Sequence, residues 1–82
     1  MIRYKTKGTC SSEIEIELNG DVIESVKFYG GCNGNLQGIG ALVEGMDIEE
    51  AIDRLSGIRC GVKNTSCPDQ LAQALAQYQD NK

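Results

Sequence analysis

From Ser12 to Leu18 the chain alternates strictly, with Ile14, Ile16 and Leu18 at one parity and Glu13, Glu15 and Glu17 at the other. A period of two marks a strand with one buried and one wet face, and the glutamates read as the wet face. Asn19-Gly20-Asp21 is a hairpin turn signal. Val22 to Tyr29 returns as a second strand, with Val22, Val26 and Phe28 on its core face. Glu24 falls at that same parity, so the pattern leaves the hairpin register open. Ile2 to Thr6, closed by Gly8, is a short strand ahead of the hairpin.

After Tyr29 the period changes. Gly30-Gly31-Cys32-Asn33-Gly34-Asn35 is a glycine-rich turn that opens a helix, in which Leu36, Ile39, Leu42, Val43 and Met46 recur at helical spacing up to Gly45. Asp47 begins a second helix, with Glu50 completing a capping box. Its apolar stripe is Ile48, Ala51, Ile52 and Leu55, and Gly57 ends it. Ile58 to Thr65 is a connecting loop. A third helix starts around Ser66-Cys67-Pro68-Asp69, with a hydroxyl cap, a first-turn proline and an acid at the positive end of the helix dipole. Its inward face is Leu71, Ala74, Leu75 and Tyr78, a face that Cys67 shares. Strands first and helices after predict an α+β fold: one domain over residues 1–82, a small three-strand antiparallel sheet packed by three helices.

Composition narrows the possibilities. A chain of 82 residues buries only about 60% of its unfolded surface. The aromatic residues are Tyr4, Phe28, Tyr29 and Tyr78, with no tryptophan, so the core is thin and a metal or covalent staple is physically useful. The net charge is −4 and the basic residues are scattered, which argues against nucleic acid or an anionic membrane as partner. No apolar stretch approaches the roughly 20 residues that span a bilayer. The charged start lacks a following apolar segment, so no secretory signal is expected. The reading is a cytoplasmic protein, where thiols stay reduced and disulfides are disfavoured.

The chemistry concentrates in four cysteines, Cys10, Cys32, Cys60 and Cys67, in a chain without histidine. No Cys-x-x-Cys knuckle is present, so spacing alone says little about zinc. Placement says more: Cys32 and Cys67 each open a helix, where free N–H groups and the dipole favour thiolate. Gly30, Gly31 and Gly34 let the backbone approach a bound ion. Cys10 lies in the first interstrand loop, and Cys60 lies seven residues before Cys67. Three or four thiolates suit tetrahedral zinc or an iron–sulfur cluster. Open beside this stand buried apolar cysteines, disulfide pairing, a thiol relay or sulfur carrier in which Cys60 and Cys67 cycle between dithiol and disulfide, and a plain metal-free interaction domain. Arg59 and Lys63 could stabilise anionic sulfur, with solvated loop charges as the default. The absence of histidine excludes a Cys-His nucleophile pair, and the glycine loop is followed by no Gly-Lys-Ser/Thr of a phosphate cradle.

Two resemblances add expectations. Thr65-Ser66-Cys67-Pro68-Asp69 resembles the signature of the TSCPD domain, and the four-cysteine layout looks like that of its short stand-alone members. That family also occurs as a C-terminal module of adenosylcobalamin-dependent ribonucleoside-diphosphate reductases. The resemblance implies metal binding through the cysteines and a reductase context; these 82 residues hold no room for a catalytic barrel, a nucleotide site or a cobalamin site. More distantly, Val26 to Gly34 and Leu42 to Ala51 are similar to IscU/NifU-type iron–sulfur scaffold proteins, with Cys67 to Tyr78 as the third-cysteine helix. In that likeness Cys10, Cys32 and Cys67 are the scaffold cysteines, and Ser66 stands where that family has a histidine. Cys60 would then supply the fourth ligand. The combined expectation is one metal centre on Cys10, Cys32, Cys60 and Cys67. It holds zinc or, as the alternative, an iron–sulfur cluster, in a monomer or homodimer that serves a ribonucleotide reductase subunit or an iron–sulfur assembly protein.

Overall fold

A computed structural model describes residues 1–31 and 33–80, with the side chain of Asn33 left aside; Cys32 and residues 81–82 lie outside the described residues. The order is β1 (Ile2–Lys5), β2 (Ser11–Asn19), β3 (Val22–Gly30), α1 (Asn33–Val43), α2 (Ile48–Leu55) and α3 (Cys67–Asp80). The strands form an antiparallel meander with β2 in the centre. Sheet first and helices after is the α+β arrangement that the sequence predicts. No helix among the described residues is long and apolar enough to cross a membrane.

β2 obeys its alternation: Ile14 and Ile16 are fully buried and Leu18 packs against the same core. The outer face carries charge in register, Arg3 opposite Glu15 and Glu15 opposite Lys27, with an Arg3–Glu15 ion pair of 2.9 Å. Gly20, at φ +63°, takes the first central position of the two-residue hairpin, as a type II′ turn requires.

The open register is settled by a bulge. Glu17 pairs with Ser25 but Leu18 pairs with Ile23, so Glu24 is the extra residue on β3. The bulge reverses parity below it. Ile23, not Val22, therefore enters the core at 0% exposure, while Val22 stays 36% exposed. Val26 and Phe28 keep the expected face. The backbone of Ile23 also bonds across to Met46 and Gly45, closing the start of β3 against the turn before α2.

α1 departs from its expected stripe. Leu36 and Val43 are buried, but Leu42 is 77% exposed, because it stands about 240° around the helix from Leu36. Met46 lies beyond the helix end and packs from the following turn. At α2 the capping box does not form. Asp47 makes no side-chain cap bond, and Glu50 instead pairs with Arg54 at 3.3 Å. Asp47 serves through its backbone, which bridges to Val22 and accepts the Ala51 N–H. Ile48 and Ala51 seal the core against Leu71, Ala74 and Leu75 of α3. Gly57, at φ +84°, follows the C-cap of α2 in the left-handed conformation that ends a helix.

Packing of α1 on β3 depends on Gly40. A Cβ there would lie 2.8 Å from the Val26 carbonyl oxygen, which belongs to a strand and cannot swing away. Gly38, in the same helix, faces open space. Gly40→Ala should destabilise the fold by about 1–3 kcal/mol through overpacking, whereas Gly38→Ala should stabilise it by about 0.5–1 kcal/mol through helix propensity. Urea midpoints of the two variants against the parent check both signs.

Candidate thiol site

The first turn of α3 is built as a buckle. Ser66 is the N-cap: its Oγ accepts the Asp69 N–H at 3.1 Å and donates to the Ile58 carbonyl at 2.6 Å. Pro68 occupies the first turn, where its missing donor costs nothing. Asp69 does more than favour the helix dipole, since its carboxylate is buried and gathers the preceding loop. It accepts from the Gly57 N–H at 2.7 Å, the Gln73 amide at 2.8 Å and the Thr65 hydroxyl. Thr65 in turn accepts from the Gln70 amide at 3.0 Å, while the Gln70 carbonyl oxygen takes the Lys7 N–H at 3.1 Å. Gln70 thereby ties the loop before β2 to the start of α3.

This lattice positions three cysteines. Cys67 is the first residue of α3 and half-buried. Cys60 is exposed on the loop that the buckle closes, where its N–H donates to the Thr65 carbonyl at 3.2 Å and its carbonyl accepts the Lys63 N–H at 3.0 Å. Cys10 is exposed at the end of the loop that Gln70 holds. All three line one cavity of about 200 Å³, floored by Leu36, Ile39 and Pro68. Lys63 reaches over it, with its Nζ 3.9 Å from Cys10 Sγ. The lysine thus attends Cys10 rather than the adjacent Cys60.

Ser11 is the residue that the sequence did not announce. Strict alternation from Ile14 would turn it outward. Ser11 pairs with Gly30 while Glu13 pairs with Tyr29, so Ser12 is a second bulge residue and Ser11 swings into the buried face. At 3% exposure, its hydroxyl lies 3.1 Å from Cys67 Sγ. Burial pushes the Cys67 thiol up, but donors outweigh it: the Ser11 hydroxyl and N–H, the Thr9 hydroxyl and the Cys10 N–H bring it below the ordinary thiol range.

As donors, three free thiols on one cavity wall suit a soft ion in kind. In position, no three His, Cys, Asp or Glu among the described residues yet stand as a ligand group. Cys32, the remaining expected ligand, lies outside the described residues. Its chain neighbours border the same place: Asn35 and Leu36 line the cavity, and a Cβ on Gly31 would come within 3.0 Å of both Leu36 and the Ser11 nitrogen.

The Asp69 carboxyl is held below the usual carboxylate range, first by the Thr65 hydroxyl, against the opposing effect of burial, and then by Gly57, Gln73 and Arg59. A depressed folded value means the contribution is complete above the unfolded value of about 4 and fades as pH falls through the folded one. Asp69→Asn should cost about 1.5–3 kcal/mol near neutral pH, the scale of hydrogen bonds to a charged group. It should also flatten the decline in stability below about pH 4. Urea titrations from neutral to acid pH, on parent and variant, check both.

The family model for the TSCPD domain matches residues 2–79. No curated protein and no solved structure matches, so the likeness to iron–sulfur scaffolds remains one of short sequence segments. The buckle residues Thr65, Ser66, Cys67, Pro68 and Asp69 spell the TSCPD signature, and the match spans nearly the whole chain. This chain belongs to the TSCPD domain family.

Proposed function

We propose that the chain is a small metal-binding domain whose ligands are Cys10, Cys32, Cys60 and Cys67, with zinc preferred and an iron–sulfur cluster as the alternative. The observation that carries this reading is the convergence of three thiols, from two segments some 50 residues apart in sequence, on one cavity. Cys60 and Cys10 are exposed and loop-borne, so bringing their sulfurs to a shared ion would move loops and not the core. Cys67 is the fixed ligand, seated on a helix and stabilised as thiolate. A bound zinc would supply a charge that satisfies the thiolates and links the sheet, the loop and α3. Family membership supports a role auxiliary to ribonucleoside-diphosphate reductase, with a reductase subunit as partner in the reducing cytoplasm.

A second reading, a thiol relay through Cys67 and Cys60, is favoured by one observation: Cys67 sits among donors that stabilise its thiolate, the attacking form in disulfide exchange. Rapid labelling of these two thiols alone would support it.

Anaerobically purified protein should carry stoichiometric zinc, or show a brown iron–sulfur spectrum. Each cysteine-to-serine change should release the metal and lower the melting temperature. Metal-free protein whose melting is indifferent to chelator would overturn the reading.

A further inference from the structure

The geometry points to Ser11 as a positioning residue that tunes the metal centre through the sulfur of Cys67. The inference deepens the metal-site reading and rests on it. Three features of Ser11 converge. The bulge at Ser12 turns its side chain from the wet face to the buried one. The hydroxyl stands 3.1 Å from Cys67 Sγ. Its own carbonyl is engaged by the Thr6 and Thr9 hydroxyls, which fix the backbone that presents it.

A metal-bound thiolate carries no proton and offers only lone pairs. The Ser11 hydroxyl facing such a sulfur must therefore donate, whichever way it points in the free thiol. Donation withdraws electron density from the sulfur and offsets part of the negative charge that several thiolates bring to one ion. Outer partners of this kind orient ligands and govern affinity. Ser11 is suited to the role because it is buried and held at both its backbone and its hydroxyl. Lys63, by contrast, attends Cys10 on an exposed loop.

The test compares the parent chain with Ser11→Ala, Ser11→Thr and Ser11→Gly, each first shown folded by circular dichroism. Zinc affinity is read by competition with a chromophoric chelator, and the sulfur-to-metal charge-transfer band is read after loading with cobalt(II). Ser11→Ala should weaken zinc binding about 10–100-fold and move the cobalt band to longer wavelength, because the sulfur becomes more electron-rich. Ser11→Thr, which keeps the hydroxyl, should restore both. Ser11→Gly removes the same hydroxyl and is the second variant that decides the matter if the alanine one does not fold. An unchanged band in the variants lacking the hydroxyl overturns the role of Ser11 while leaving the metal site standing, even if affinity falls. A parent chain that takes up neither zinc nor cobalt overturns the metal reading itself.

Discussion

The arrangement depends on one buried carboxylate. Asp69 lies at the positive end of α3, and its two oxygens collect donors from Gly57, Thr65 and Gln73. An unpaired buried charge would be expensive; satisfied by a helix end and several donors, it becomes a fixed point. The loop between α2 and α3 has little apolar anchor of its own: Val62 is fully exposed and Ile58 is 43% exposed. The carboxylate adds the bonds to Gly57 and Thr65 to those that Ser66 makes to Ile58 and Cys60 makes to Thr65, and together they hold the loop that carries Cys60 against the start of α3. The family signature is therefore chiefly a structural device that delivers one cysteine and closes the loop carrying another.

Two bulges do comparable work on the sheet. Each adds one residue and inverts the parity of what lies beyond it. At Glu24 the inversion sends Ile23 into the core and lets an acid sit within a strand without being buried. At Ser12 it sends a hydroxyl under Cys67 instead of out to water. The first completes packing and the second builds chemistry, by the same geometric means. A regular hairpin of this sequence would bury Glu24 and turn Ser11 to solvent.

That contrast explains what could be read from the sequence. The strands, the hairpin and the stripes of α2 and α3 follow from period and end signals, which are local. The placement of Cys67 at a helix start and of Cys10 and Cys60 on loops was legible for the same reason. The register of β3, the exposure of Leu42 and the inward turn of Ser11 were not, because each depends on a choice made between elements. Nor did the pattern distinguish a capping box from a backbone bridge at Asp47, since both put an acid before a helix. The gathering of loop donors by Asp69 was hidden likewise: a first-turn acid looks the same in sequence whether it faces water or a loop.

The distribution of stability bears on where a ligand would matter most. The core joins β2, Ile23 of β3, α2 and α3 through fully buried residues. α1 sits mainly on β3, carries three glycines in eleven residues and leaves Leu42 in water. Interior glycine costs a helix about 1 kcal/mol each relative to alanine, so α1 has little intrinsic stability and depends on its contact with the sheet. The thiol cavity opens between α1 on one side and the buckled loop and α3 on the other. An ion held by Cys10, Cys60 and Cys67 would link the first interstrand loop to the buckled loop and α3, beside the helix with the least intrinsic stability. A small domain with a limited core gains most from a cross-link between distant segments, and all three described cysteines line that one cavity.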